Sequence, residues 1–198
     1  MGVAGMIRKA FVEAQAYASK TSKDTIPSLR AEALLPALQG KAPVVFVAHR
    51  ADDIRTALRI ADEFRLKPIL ALGTEAYLLA DELAQRKVSV IVHPAMQRAG
   101  ASMETLNTLL ANAAILKARG IPVALGTSFE GYVPKIRDLR AEAAIAAANG
   151  LGQEGALQAI TIDAARLLGI DREYGSLEVG KVADLVLYDG DPFEFATH

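Results

Sequence analysis

Two histidines are the side chains of this sequence best suited to chemistry inside a folded domain. His49 and His93 each follow directly after a short apolar run, residues 44–48 and 88–92, whereas His198 is the last residue of the sequence. Such runs are typical of buried strands, so we expect both imidazoles at strand ends, where they could bind a metal ion or exchange protons. The simpler interpretation, which we favour, is that each is hydrogen-bonded to backbone at the rim of a sheet.

Two carboxylates and one glycine-containing loop are further candidates. Glu75 and Asp52 could act as acids or bases, but both stand where a predicted helix begins, and the helix dipole favours carboxylates there. We therefore interpret them first as capping residues. Residues 126–128, Gly-Thr-Ser, offer backbone N–H groups and hydroxyls that could hold a phosphate, but so short a motif is a weak indication.

The composition indicates a globular protein and excludes several classes of partner. Of 198 residues 52% are hydrophobic, and 22 basic residues face 23 acidic ones, for a net charge of -1. Without a basic block the chain is a poor partner for nucleic acid or an anionic membrane surface. There is no cysteine, which excludes disulfides, thiolate nucleophiles and cysteine metal sites. No apolar run approaches the ~20 residues of a membrane helix, so we expect a cytoplasmic protein.

Four strand-then-helix units follow one another along the chain. Such a series predicts a parallel sheet with right-handed crossovers. Spacing alone leaves open whether this sheet is doubly wound or part of a (β/α) barrel. The predicted strands are 44–48, 68–72, 88–92 and 121–125, and the helices that follow them are 52–64, 75–86, 103–119 and 135–148.

Both ends of the chain differ from this repeating part. Helices are predicted over residues 3–19 and 28–38, before the first strand. After the last unit, helical patterns at 153–160 and 163–168 lead into a turn-rich segment and then a strand at 183–188. This strand is too far from the repeating units to be assigned to their sheet.

Several segments together resemble the C-terminal half of the amidohydrolase superfamily, in its imidazolonepropionase-like branch. Residues 175–186, Gly-Ser-Leu-Glu-Val-Gly-Lys-Val-Ala-Asp-Leu-Val, continue to Asp-Gly-Asp-Pro-Phe at 189–193 and match a C-terminal signature of that family. Residues 159–169 are similar to the helix that precedes this signature. Ala-His-Arg-Ala-Asp-Asp-Ile at 48–54 and Gly-Thr-Glu-Ala-Tyr at 73–77 resemble segments that follow barrel strands five and six.

This resemblance implies a fold and a chemistry. It implies an α/β protein with four βα units of a partial TIM-type (β/α) barrel over residues 1–170, equivalent to strands five to eight. A short C-terminal β segment at 171–198 would be the remnant of a small β domain. Family members hydrolyse C–N bonds with metal ions, bound where the barrel strands end. Their ligands include an H-x-H after strand one and often a carboxylated Lys on strand four, neither of which has a counterpart here.

The positions that align with the family's remaining metal ligands carry other residues in this sequence. Val47 stands where the family has the His of strand five, Leu72 where it has the His of strand six and Ser128 where it has the Asp of strand eight. Valine and leucine offer no donor atom, and a serine is neither an anionic ligand nor a base at neutral pH. His49 aligns with a substrate-side position, so His49, Arg50 and Ser128 are the candidates for substrate binding.

These observations lead to three functional hypotheses. The first is a member that is inactive alone, has no cofactor and acts through assembly or ligand binding. The alternative is a metal-dependent hydrolase of amide or cyclic amide bonds, whose zinc site is completed by another chain, with His49, Glu75 or His93 contributing. The third is a small-molecule binding protein with its ligand near His49, Gly73 and Ser128.

A half barrel also needs a partner. Four parallel strands would leave two unpaired edges and an exposed apolar inner face. We expect these to be covered in a homo-oligomer or by a second chain that supplies the missing strands. A third possibility is an open sheet with residues 1–38 packed over the inner face.

Overall fold

The computed structural model describes residues 2–19, 26–92, 103–127 and 136–198, together with the backbone of 129–130 and 133–134. Its strands are β1 Val44–Ala48, β2 Pro68–Leu72, β3 Ser89–Val92, β4 Val123–Leu125, β5 Phe129–Glu130 and β6 Val133–Pro134. Its α-helices are α1 Val3–Ala18, α2 Leu29–Leu38, α3 Ala51–Phe64, α4 Ala80–Gln85, α5 Asn112–Ala118, α6 Leu139–Ala146, α7 Gln153–Ile160 and α8 Ile162–Leu168.

The first four strands form one parallel sheet whose spatial order is the order along the chain, β1-β2-β3-β4. Val44 lies beside Pro68 at one end of this sheet, and Val92 lies beside Leu125 at the other. A doubly wound sheet reverses its strand order at a switch point, and the order here has no reversal. The winding is that of a (β/α) barrel, and the prediction of a partial TIM-type barrel is confirmed.

The helices cover one side of this sheet, which we call the outer face. Val90 and Val123 are completely buried there, and α3 contributes Ile54 and Leu58 to the same core. These apolar residues recur at helical spacing in α3 and at alternate positions in the strands, which is why each element buries one side.

The opposite side of the sheet, the inner face, is less well covered. By strand register it comprises Val45, Val47, Ile69, Ala71, Ser89, Ile91 and Ala124. Ile69 and Ala124 are buried, whereas Val45 is 49% and Val47 69% exposed. The open apolar surface is therefore concentrated on β1, which is an edge strand.

Helices α1 and α2 pack on the outer side, next to α3. Phe11 of α1 lies in one apolar cluster with Phe46 and Phe64, and its ring centroid is 5.2 Å from that of Phe64. Because Phe46 points to the outer face, α1 and α2 pack on that side, and the alternative that residues 1–38 cover the inner face is wrong for the described part of this segment.

The long helix predicted at 103–119 is two shorter pieces. A 3-10 turn at Met103–Thr105 is separated from α5 by a loop, and Leu106, Leu109 and Leu110 are exposed. The loop contains Thr108, whose hydroxyl donates to the Thr105 carbonyl at 2.7 Å. Threonine and asparagine side chains compete for backbone hydrogen bonds in this way, which weakens a helix.

Other boundaries differ from the predictions as well. The predicted helix 75–86 begins as a 3-10 turn, Ala76–Leu79, before α4, and the predicted helix 135–148 likewise begins with the 3-10 turn Ile136–Asp138 before α6. Residues 183–188 form no strand, because no other described strand lies beside them to complete a ladder. Among the described residues no helix has both the length and the apolar character needed to cross a membrane.

Candidate functional site

The ends of β1 and β2 meet at the same edge of the sheet, where barrel proteins carry their sites. His49 follows β1, and its Nδ1 lies 2.7 Å from Oγ1 of the buried Thr74, which follows β2. The backbone joins the same two segments, since Gly73 N–H donates to the Ala48 carbonyl and Glu75 N–H to the His49 carbonyl, both at 2.9 Å. The imidazole is thus held in a fixed orientation.

A sharp turn after β2 makes this arrangement possible. Leu72 and Gly73 both have left-handed backbone, with φ of 74° and 46°. A Cβ on Gly73 would lie 3.1 Å from both Ala76 Cβ and Leu70 Cδ2, so only glycine suits this position. Leu72 has a conformation that costs a non-glycine residue about 1–2 kcal/mol. The turn carries Thr74 and Glu75 toward the end of β1.

Glu75 is a buried carboxylate with both oxygens occupied. Oε2 accepts the N–H of Ala51 at 2.7 Å, and Oε1 accepts Nδ2 of Asn107 at 2.8 Å. The Ala51 hydrogen bond is the largest cause that lowers the pKa of Glu75, and the Asn107 bond acts in the same direction. The first residue of α3 is Ala51, so Glu75 caps that helix from the neighbouring unit. This geometry fits a positioning carboxylate better than an acid or a base.

Asn112 and Thr105 bring two buried oxygens to the same region. Asn112 Nδ2 donates to the Gly73 carbonyl at 2.9 Å, which ties α5 to the turn after β2. Asn112 Oδ1 and Thr105 Oγ1 are buried and have no hydrogen-bond partner among the described residues. Such atoms are rare in folded proteins, and a ligand or an ordered water could satisfy them.

His49 is half-buried, and its charge state follows from that position. Burial lowers its pKa, and the carboxylate of Glu104 partly opposes this effect. The imidazole is therefore neutral at neutral pH, which suits hydrogen bonding to a ligand. We call His49, Thr74, Glu75, Glu104, Asn107 and Asn112 the strand-end site.

The sequence did not identify Glu104, Asn107 or Asn112 as members of this site. All three fall in the segment predicted as one long helix, where polar residues are usually solvent-facing. The available signal was the low helix propensity of the Thr and Asn residues at 105–108.

The other predicted site residues lie around this centre. Arg50 is exposed and stands at the N-cap of α3 without a side-chain capping bond, and Asp52 is exposed in the first turn of that helix. The N-terminal cap of α3 expected from Asp52 is thus supplied by Glu75. His93 and Ser128 lie outside the described residues.

The donor atoms present do not fit a transition-metal site. The side chain of Val47 lies on the inner face and Leu72 is the last residue of β2, and neither side chain carries a coordinating atom. Both oxygens of Glu75 are already hydrogen-bonded. In the part of the chain that the structure describes, no group of three His, Cys, Asp or Glu side chains is placed to hold a metal ion.

A parallel, singly wound sheet with polar side chains at its strand ends defines a protein of the (β/α)-barrel class. The family model described as "Amidohydrolase family" matches residues 14–198, and the chain belongs to that family.

Sequence relatives place it near imidazolonepropionases. The enzyme of that name from Caulobacter vibrioides is 36% identical over 91 residues, which are 46% of this chain and 23% of the relative. That of Symbiobacterium thermophilum is 34% identical over 118 residues, 59% of this chain and 28% of the relative. A 5-methylthioadenosine/S-adenosylhomocysteine deaminase from Symbiobacterium thermophilum is 36% identical over 85 residues, 38% of this chain and 20% of the relative. The imidazolonepropionase-like branch inferred from sequence is confirmed.

Solved structures agree with this assignment. An amidohydrolase from Thermotoga maritima superposes with a TM-score of 0.91 at 33% identity, covering 100% of this chain and 52% of that one. A prolidase complexed with N-methylphosphonate-L-proline superposes with a TM-score of 0.64 at 19% identity, over 97% of this chain and 53% of its own, which shows the shared fold. This chain thus spans about half the length of these structures.

Proposed function

We propose that this chain is an amidohydrolase-family protein that works without the family's metal site and binds a small ligand at the strand-end site. The observation that carries the proposal is the pair Val47 and Leu72, which occupy the two positions where the family resemblance places metal-binding histidines. Hydrolysis in the family depends on metal-activated water. Without the two histidines, this half of the barrel lacks the ligands for that chemistry.

The local geometry supports this alignment of positions. Val47 points into the open inner side of the barrel, as a ligand for a central metal would have to do. Leu72 has φ of 74°, a conformation in which histidine is enriched and leucine is uncommon. The backbone at Leu72 therefore suits a histidine better than the residue it carries.

Binding is supported by the polar groups that remain. The neutral imidazole of His49 is held by Thr74, and the buried Asn112 Oδ1 is an acceptor without a partner among the described residues. We infer a small ligand that donates hydrogen bonds, with Arg50 and Ser128 as further candidates for contact. The names of the relatives suggest imidazolonepropionate and 5-methylthioadenosine as the first compounds to test.

Thermal-shift and calorimetric titrations with these two compounds test the binding proposal. We expect a compound that raises the melting temperature of the wild-type chain to lose its effect in His49→Gln. The matched control is His198→Gln, because His198 is exposed and distant in sequence from the strand-end site. An equal response in both variants, or no binding by either compound, would count against the site.

Restoring the two histidines tests the loss of the metal site. Val47→His with Leu72→His should bind zinc more tightly than the wild-type chain by at least tenfold, because two imidazoles would then stand at the ends of neighbouring strands. Val45→His with Leu72→His is the control, since Val45 lies two residues further down β1. Tight zinc binding by the wild-type chain would contradict the proposal.

A metal-dependent hydrolase completed by another chain is the second candidate. The position of His49 at the end of β1, with Nδ1 2.7 Å from Thr74 Oγ1, favours it, because this imidazole could contribute from this side. Co-purification with a chain that carries an H-x-H motif, together with zinc, would support this candidate.

A further inference from the structure

A second polar cleft lies between α8 and the turns that follow it. Its volume is about 480 Å³, within the range of small-molecule sites, roughly 300–1,000 Å³. Three basic side chains line it, those of Arg166 on α8 and of Arg172 and Lys181 in the segment after α8. None of its lining residues belongs to the strand-end site, so this cleft, which we call the α8 cleft, is an independent feature of the molecule.

The α8 cleft holds one carboxylate of the chain itself, that of Glu178. Its Oε1 accepts the Ser176 hydroxyl at 2.6 Å, and Nζ of Lys181 lies 3.4 Å from the same oxygen. Lys181 Nζ also donates to Ser176 Oγ at 2.6 Å, which fixes the ammonium beside the hydroxyl. The Ser176 hydrogen bond is the largest cause that lowers the pKa of Glu178, followed by that of Lys181, and the charge of Arg166 adds to them. These donors together form a receptor for an anionic oxygen.

The carboxylate and the ammonium of this pair differ in their exposure. The side chain of Glu178 is 63% exposed, whereas that of Lys181 is 12% exposed. An exposed carboxylate gains little from an ion pair and can move into water, but a mostly buried ammonium needs a counter-ion. An external anion can therefore replace Glu178 beside Lys181.

The charges that line the cleft favour a dianion. With the internal carboxylate displaced, the lining side chains carry three positive charges and one negative charge, that of Asp171, so their net charge is +2. Arg166 lies 3.2 Å from Asp163, but Asp163 is also paired with Lys117, so that carboxylate adds no excess negative charge. Arg172 has no ion-pair partner in the described part of the chain. Guanidinium and ammonium groups are the cations that proteins use to bind phosphate.

We propose that the α8 cleft binds the phosphate group of a small soluble molecule, in competition with the carboxylate of Glu178. Such a group carries about 1.5 to 2 negative charges at pH 7, and its oxygens can accept hydrogen bonds from the hydroxyl, ammonium and guanidinium groups of the cleft. Ile162 and Val179 also line the cleft and offer apolar surface to the organic part of a phosphate monoester. A soluble source is favoured over a lipid headgroup, because the chain has a net charge of -1 and no basic block to hold an anionic membrane.

Isothermal titration calorimetry with inorganic phosphate, at constant ionic strength, tests the proposal on the 198-residue chain. Glu178→Gln should bind phosphate about tenfold more tightly than the wild type, because the competing charge is removed while the size of the side chain is kept. The matched control is Glu13→Gln, which removes an exposed carboxylate of α1 and should leave the affinity unchanged. Equal affinity of the two variants would show that Glu178 only stabilises its turn, and would overturn the proposal.

Removing the cations should have the opposite effect. Lys181→Met should abolish phosphate binding, and replacement of the exposed Arg172 in Arg172→Gln should weaken it by about tenfold. Arg65→Gln is the control for the loss of a positive charge, because Arg65 is exposed at the end of α3. If Lys181→Met fails to fold, Arg172→Gln decides the question, and wild-type affinity in that variant would overturn the proposal.

Sedimentation with vesicles that contain phosphatidic acid tests the source of the phosphate group. We expect the wild-type chain to remain in the supernatant. Sedimentation with these vesicles, combined with no calorimetric binding of inorganic phosphate by Glu178→Gln, would overturn the assignment of a soluble ligand.

Discussion

Glu75 lies at a strand end, where a carboxylate could act as an acid or a base, but its hydrogen bonds stabilise the fold instead. It joins the start of α3 to the loop before α5 through Ala51 and Asn107, and these hydrogen bonds keep it ionised although it is buried. His49, one residue beyond β1, depends on the same construction, because its carbonyl accepts the N–H of Glu75.

Replacing Glu75 by Gln should lower the free energy of unfolding by about 1–3 kcal/mol at pH 7, as expected when charge-assisted hydrogen bonds of a buried group are weakened. The folded-state pKa of Glu75 is depressed, so its contribution is present above the unfolded-state pKa and is lost as the pH falls through the folded-state value. Urea denaturation at pH 7 and pH 3 measures the difference, which should shrink in acid. Glu13→Gln on the exposed side of α1 is the control, and a pH-independent loss in Glu75→Gln would contradict the assignment.

His49 should contribute a pH dependence in a higher range. Its folded-state pKa is lowered by burial, so the unfolded chain binds the proton more readily and stability rises as the pH increases toward and through the ordinary histidine pKa of 6.5. Thermal unfolding across that range should show a flatter dependence for His49→Gln than for the wild type. An unchanged slope would mean that the imidazole is not desolvated.

The residues of this site were partly predictable from sequence. His49, Thr74 and Glu75 follow continuous apolar runs, and parallel strands bring such positions to one edge. Glu104, Asn107 and Asn112 were not predictable, because their positions depend on the loop before α5. The leucines of that loop, at 106, 109 and 110, have a spacing typical of a helix.

At the level of elements, buried strands were the most predictable part of the chain. β1 and β2 have the predicted bounds, because uninterrupted apolar runs between turn residues suit no other buried structure of that length. The segment at 183–188 has equally strong strand propensity and forms no strand, because a strand requires a neighbour that the described chain does not supply. Strand propensity therefore predicts a strand only where a neighbouring strand is present to form the hydrogen-bond ladder.

The segment after α8 docks through a close approach at Gly175. This residue has φ of 93°, and a Cβ there would lie 2.7 Å from Ala165 Cβ and 3.0 Å from Ile162 Cα. Gly175→Ala should therefore destabilise the docking of this segment by about 1–3 kcal/mol more than Gly180→Ala. Gly180 has nearly the same φ, 92°, with nothing within 4 Å, so it separates the clash from backbone strain.

Hydrogen exchange followed by mass spectrometry would measure this effect. Amides of α8 and of the residues after Gly175 should exchange faster in Gly175→Ala than in Gly180→Ala. Equal exchange in the two variants would show that the approach of Gly175 to α8 is not required for docking.

At the level of the whole molecule, the chain is a wound half barrel of the amidohydrolase family whose inner face is exposed along β1. The barrel winding could not be derived from spacing, since doubly wound sheets use the same units. It followed from the family resemblance and from the sequential strand order. The function that we propose for this fold makes one central claim, that its strand ends operate without a metal ion.

Metal content by mass spectrometry, on protein sized by light scattering in the same run, tests that claim most directly. The account predicts less than a tenth of an equivalent of any transition metal per chain, by the reasoning that two apolar side chains occupy the ligand positions. One zinc or more per chain would contradict it, and would assign the metal to ligands other than Val47 and Leu72.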